Sequence, residues 1–384
     1  MINIKELGIY VHIPFCKQKC YYCDFVSYAK NEEKVEKYIS ALKKEIKEES
    51  NLIDKKEYII TTIYIGGGTP SFIHEKFISA IVNEIKNNYI VDNEAEITIE
   101  INPGAVNLAK LKEYKKIGIN RISIGLQETN NELLKQIGRI HTYEEFLQCY
   151  KSVRKVGFSN VNVDYMLGLP NQTLNGVKQS LEKIIYLKPE HISLYSLIVE
   201  ENTKIKIMLE QNILSLPDEE LERDMYWCAK NILEENNYIH YEISNFAKKG
   251  YESKHNLNCW KQMEYLGFGV AAHSYYKNKR YSNTNSIEQY CKNIKEDNLI
   301  ENRTICEIQT DEGKKKEYML LGLRKVNGVN IQEFKNKFIE NPIYKFRKEL
   351  EMLVKENLIE IDSNEIKLTN KGLDLANKVW ENFI

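Results

Sequence analysis

Six short apolar runs rich in β-branched residues, each followed by a segment of helical period, constrain the fold of this chain more than any other feature. The runs lie at 8–13, 61–66, 96–101, 120–125, 160–167 and 191–197, and the amphipathic segments at 33–47, 74–88, 107–117, 130–136, 143–156 and 174–187. Strands joined by helix-length connections pair in parallel through right-handed crossovers, so the expected class is α/β with six βα units. Periodicity alone does not say whether such a sheet closes. In barrels of βα units, reactive groups gather on the loops that follow the strands. Here those loops carry Cys16, Cys20 and Cys23 after the first run and Gly66-Gly67-Gly68-Thr69-Pro70 after the second. Glu100 ends the third, Gln127 follows the fourth and Asp164 stands near the end of the fifth. Every candidate therefore falls on one rim.

Thiolates at C-x3-C-x2-C spacing can converge on three irons of a 4Fe-4S cube and leave the fourth iron without a protein ligand. The other five cysteines, Cys149, Cys228, Cys259, Cys291 and Cys306, are scattered. In a reducing compartment metal binding or simple burial outweighs disulfide pairing, and Cys149 and Cys228 read as small buried hydrophobes. A structural zinc site is disfavoured because no fourth ligand lies near the three cysteines. Three consecutive glycines admit close backbone approach, which serves either a plain turn or a seat for a small amine or carboxylate. Glu100 and Asp164 read equally as helix caps, partners of lysine, or ligand contacts. Lys+Arg 54 against Asp+Glu 55 gives a net charge of -1, so no global basic field points to nucleic acid. No apolar run approaches the roughly 18 residues that span a bilayer, and a soluble, cytoplasmic protein is expected.

Together, the C-x3-C-x2-C run, Gly66 to Ser71, the I-E-I-N-P run around Glu100 and the D-Y-M-L-G-L-P run from Asp164 resemble the radical S-adenosylmethionine superfamily. Within it they resemble the branch of oxygen-independent coproporphyrinogen III oxidases, over nearly the whole chain. The run from Tyr10 to Phe25, H-Y-E-I-S-N-F-A from His240 and G-F-G-V-A-A-H-S from Gly267 are similar to the heme chaperones of that branch. The resemblance implies a partial (β/α)6 radical SAM barrel over residues 1–215, an α+β extension over 216–300 and a winged-helix-like domain over 301–384. It implies that Cys16, Cys20 and Cys23 hold a 4Fe-4S cluster whose open iron takes the amino and carboxylate groups of S-adenosyl-L-methionine. Gly67, Gly68 and Thr69 would hold the methionine amine, and Tyr10, Tyr22, Glu100, Gln127, Arg139 and Asp164 would line the pocket. The cofactor pair would supply one-electron cleavage chemistry.

Oxidases of the branch carry a further cysteine two positions after the third and a longer segment ahead of the cluster. This chain has Asp24 and then Phe25, with fifteen residues before Cys16. Both differences favour a chaperone that binds heme and passes it to acceptor hemoproteins; the alternative is a coproporphyrinogen III oxidase. The chaperones show H-N-x-x-Y-W, present here as His255-Asn256-Leu257-Asn258-Cys259-Trp260. His255 is the expected heme contact and Trp260 a cover for the porphyrin face, while Cys259 replaces the tyrosine and adds a thiol able to ligate iron. His273 belongs either to the core or to the same cavity. Beyond 301, helices at 311–324, 331–338, 344–357 and 369–383 with strands at 359–362 and 365–368 suggest the winged helix. Such modules often bind DNA, but Lys325, Lys335, Lys337 and Lys355 are balanced by acids. A cap or protein-docking role without nucleic acid is expected, with membrane contact only through an acceptor, in a monomer or homodimer.

Overall fold

The computed structural model describes residues 4–384, and all six expected strands form within it. They are β1 (Lys5–Ile13), β2 (Tyr58–Gly67), β3 (Val91–Ile101), β4 (Arg121–Gln127), β5 (Val161–Leu167) and β6 (His191–Ser196), each parallel to the next. Helices follow at Val35–Leu52, Glu75–Asn88, Leu108–Lys116, Tyr143–Lys155 and Leu174–Tyr186. Local signals start them: Thr142 and Glu145 close a reciprocal capping box, and Asn107 and Thr173 cap the third and fifth. Along β5, Val161, Val163, Tyr165 and Leu167 join the main apolar core. Asn162 and Asp164 alternate onto the other face, which is polar. There Asn162 bonds Ser123 Oγ (2.8 Å) and His191 Nδ1 (2.6 Å). The sheet thus has an oily outer face under helices and a hydrogen-bonded inner face.

The extension is part of the same sheet. β7 (Ile239–Glu242) and β8 (Asn245–Ala247) form a hairpin whose second strand runs antiparallel to β6. β9 (Tyr265–Phe268) joins β1 in parallel and leads into the antiparallel β10 (His273–Tyr276), β11 (Lys279–Asn283) and β12 (Arg303–Ile308). The result is one 12-stranded sheet in the order β12-β11-β10-β9-β1-β2-β3-β4-β5-β6-β8-β7, and it runs past residue 300.

The C-terminal residues form a three-stranded sheet, Val329–Asn330, Glu365–Leu368 and Ile359–Ile361, against helices Asp311–Gly322, Ile331–Phe338 and Arg347–Lys355. It has its own core, including Met319, Phe334, Leu350 and Leu353. Two expected helices are broken. Phe346 leaves helical geometry (φ -109°, ψ 34°) and sets its ring edge-on to Phe334 and Phe383, so core packing overrides the helical pattern there. The last helix divides at Leu375 (φ -115°, ψ 32°).

This domain is fastened to the sheet through all three tryptophans of the chain. Trp227 donates to Asp374 (2.7 Å), and the Arg324 guanidinium lies between Trp260 (4.4 Å) and Trp380 (4.6 Å). Backbone bonds from Ile243 to Arg324 and from Val326 to Tyr241 cover the β7 edge. Among the described residues, no helix is long and apolar enough to cross a membrane.

Candidate functional site

The loop after β1 is pinned at both ends. Phe15–Cys16 pairs with Tyr28–Ala29, and His12 Nε2 bonds the Val26 carbonyl at 2.8 Å. The glycine run is stitched to the same strand end, Gly68 N to Ile13 O and Thr69 N to Phe15 O, both at 2.9 Å. Glycine is required here by contact. A Cβ on Gly68 would lie 2.9 Å from the Ile13 carbonyl and 3.0 Å from Cys16 Sγ, while Gly67 adopts φ +109° with the His12 ring against it.

Cys16, Cys20 and Cys23 are free thiols lining a cavity of about 150 Å³. Tyr22, Gly67, Gly68 and Thr69 line it as well, and Glu100, Gln127, Arg139 and Asp164 complete its polar wall. Of the residues expected to form this pocket, Tyr10 alone lies outside the lining. Among the described residues, no three His, Cys, Asp or Glu side chains converge closely enough to hold a single metal ion. Burial pushes the Cys16 thiol up, and burial with the neighbouring Cys20 charge pushes Cys23 up to about 11. Arg139 supplies the compensating charge: its guanidinium donates to Cys20 Sγ (3.4 Å), the Gly125 carbonyl (2.6 Å) and Asn102 Oδ1 (2.9 Å). Its Nε is buried without a partner. Three thiols spread round a hollow, a cation beside one of them and a wall where no Cβ fits suit a multi-iron cluster better than a single ion.

Glu100 accepts from Tyr64 Oη (2.8 Å) and the Gly67 amide (3.2 Å). Burial, reinforced by the charge of Asp164, raises it to about 7 despite these donors. Asp164 accepts from Asn162 Nδ2 (2.6 Å) and is raised by burial. Gln127 holds a left-handed backbone (φ +73°), and its Oε1 accepts from Tyr195 Oη at 2.5 Å. Such geometry in a non-glycine residue is held by its surroundings and gathers at functional sites.

Among the wall residues that the sequence did not assign to the pocket are Asn102 and Tyr195. Asn102 bridges Arg139 and Thr69 Oγ1 (3.0 Å), and its place at the strand end was the available signal. Tyr195 shares the inner face of β6 with Ser193, a position that alternation could have indicated. A second cavity of about 430 Å³ shares Cys20, Thr69, Asn102 and Arg139 with the first and extends toward Pro103 and His141.

Tyr10 stands one layer beneath the cavity, stacked on Tyr64 (6.3 Å between centroids), with its hydroxyl 2.9 Å from His12 Nδ1. His255 lies deeper. Its Nδ1 is 2.9 Å from Thr62 Oγ1, its amide donates to Glu96, and its ring packs 5.2 Å from Tyr64. Thr62 precedes Gly66 by four residues, roughly 13 Å of strand. Burial lowers His255 to about 4, so the ring is neutral. The imidazole expected to contact heme is buried here, against Thr62 and Tyr64. Cys259 is a half-buried thiol pushed up to about 11 by desolvation, and Trp260 covers Arg324. His273, the other candidate of the extension, is exposed at the start of β10.

The model of the radical SAM superfamily matches residues 10–184, and that of the HemN C-terminal domain residues 310–375. The heme chaperone HemW of Lactococcus lactis is 37% identical over 380 residues, 99% of this chain and 98% of that protein. The heme chaperone HemW of Bacillus subtilis is 36% identical over 98% of both. The fold is that of the Escherichia coli coproporphyrinogen III oxidase HemN, with a TM-score of 0.86 over 99% of this chain and 90% of that one, at 23% identity. With the thiol-lined cavity, the glycine wall and this full-length likeness in place, the chain belongs to the heme chaperone HemW family of the radical SAM superfamily.

Proposed function

We propose that this protein binds heme and hands it to acceptor hemoproteins in the cytoplasm. The observation that carries the reading is the 37% identity, end to end, with the Lactococcus lactis heme chaperone HemW. Its likeness to the coproporphyrinogen III oxidase extends to the fold alone at 23% identity. Position 25, where the oxidases carry a cysteine, is here Phe25, which is 62% exposed.

In this reading Cys16, Cys20 and Cys23 hold a 4Fe-4S cluster, with S-adenosyl-L-methionine against Gly67, Gly68, Thr69, Glu100, Gln127 and Asp164. When bound, the pair supplies one-electron reductive cleavage of a sulfonium. Arg139 holds negative charge at Cys20 and ties the loops after β3 and β4 together through Asn102. Glu100 keeps the amide of Gly67 aimed at the cavity wall. Tyr10 and Tyr64 close the cavity from below and exclude water. With a net charge of -1 the surface carries no global attraction for nucleic acid.

The test is an anaerobic preparation with reconstituted cluster, loaded with heme and mixed with an apo-hemoprotein. Appearance of the acceptor's heme spectrum is expected, with no turnover of coproporphyrinogen III. Conversion of coproporphyrinogen III to protoporphyrinogen IX would overturn the reading in favour of the oxidase.

A further inference from the structure

Arg121 opens β4 at the floor of the barrel, on the face it shares with Ser123 and away from Ile122 and Ile124, which enter the apolar core. Only 2% of it is exposed. Arg154, Arg280 and Arg303 each meet a glutamate, but the inner-face carboxylates nearest Arg121 are engaged elsewhere. Glu96 accepts from the amides of Lys254 and His255, Glu100 from Tyr64 and the Gly67 amide, and Asp164 from Asn162. Arg121 reaches Glu100 and Asp164 through space alone. Among the described residues its guanidinium makes neither an ion pair nor a hydrogen bond, and its Nε is buried without a partner. The rings of His191 and His255 are held neutral by burial and, after it, by this charge, as an uncompensated cation would hold them.

Two more polar groups are stranded at the same level. Thr98 on β3 is the register partner of Arg121, is fully buried, and its Oγ1 has no partner. On the other side the Ile122 amide bonds the Asn160 carbonyl, which sets Asn160 beside Arg121 just ahead of β5; its Oδ1 is buried without a partner too. Buried polar groups are seldom orphaned, and three in a row on neighbouring strands mark one seat. Water there would satisfy the hydrogen bonds but not the charge, and a buried guanidinium calls for a negative partner. Neighbouring strands lie about 4.8 Å apart, and neither cavity described above reaches Arg121, so the seat suits an ion and not a cofactor. The Thr98 hydroxyl can donate, and the Asn160 amide presents its N–H groups after a half-turn. We infer that the barrel floor binds one small monovalent anion, of chloride or formate size, between Arg121, Thr98 and Asn160. The inference does not depend on the chaperone function.

Chloride itself is the probe, added to the full chain dialysed into sodium gluconate, whose anion is too large for the seat. Sodium chloride is titrated at constant ionic strength and read by line broadening in chloride NMR and by urea denaturation. The wild-type line is expected to broaden, and each tenfold rise in chloride above the dissociation constant to multiply the folding equilibrium constant up to ~10-fold. Arg121→Gln is expected to lose both responses. Thr98→Val keeps the shape of its side chain and adds no charge, so it serves even if circular dichroism shows Arg121→Gln unfolded; it is expected to weaken chloride binding at least ~10-fold. Formate that displaces chloride at lower concentration assigns the seat to a carboxylate, and displacement only at higher concentration assigns it to a halide; either supports the site. Responses kept in full by Thr98→Val, or by a folded Arg121→Gln, would place the ion on the surface and overturn the assignment. A wild type with the same stability in chloride and gluconate and no broadened line would show that water alone fills the seat, and would overturn it as well.

Discussion

Glu100→Gln separates what the site does from what it costs. Glu100 is half-buried at the strand end, and its displacement from an ordinary value of 4.5 to about 7, at about 1.4 kcal/mol per pH unit, makes its charged native form unfavourable by about 3 kcal/mol. The sign follows from proton counting. Between pH 4.5 and 7 the native chain holds a proton that the unfolded chain has released, so this contribution to stability falls as pH rises through that window. The full penalty is present above pH 7, and less than about 1 kcal/mol of it at pH 5. Glutamine is neutral throughout and keeps an acceptor for Tyr64, but it presents no second carboxylate oxygen to the Gly67 amide. Losing that bond offsets about 1 kcal/mol. The variant, as the full chain without cluster, is therefore expected to be more stable than wild type by about 2 kcal/mol at pH 8 and close to it at pH 5. Urea denaturation followed by circular dichroism at the two pH values measures this. A stability difference that does not change with pH would refute the reasoning.

Gly68→Ala places a methyl 2.9 Å from the Ile13 carbonyl and 3.0 Å from Cys16 Sγ, so reconstituted iron content should drop sharply, with overpacking costing about 1–3 kcal/mol in the apo chain; iron content equal to wild type would contradict the tight wall. Thr62→Val removes the hydroxyl beside the buried His255 Nδ1, which should destabilise the fold by about 1–3 kcal/mol while leaving iron content at the wild-type level.

The six strands and the rim were legible because both are local. Alternation along β5 separates Val163 from Asp164 without knowledge of any partner, and residues at strand ends share a rim once the strands are parallel. Strand β9 was not legible: it is four residues long, includes Gly267, and owes its place to pairing with Tyr10 and Val11 more than 250 residues earlier. The burial of His255 was not legible for the same reason. Its sequence neighbourhood looks like an open loop, and only the docking of Lys254–Trp260 beneath Thr62 and Glu96 removes the ring from solvent. Cys259 and Trp260 follow it into packing roles. Asn102 was visible in the I-N-P run, but its bonds to Arg139 and Thr69 depend on three different loops meeting.

The helix Lys254–Trp260 is only seven residues long, and its two ends are committed to different bodies. At one end His255 closes the barrel floor; at the other Trp260 grips Arg324 of the C-terminal domain. A helix this short is marginal by itself and is held by its contacts at both ends. The two apolar cores, separate in space, are thereby joined thermodynamically, and the chain should melt as one cooperative unit, with loss of the Arg324 contact splitting the transition in two.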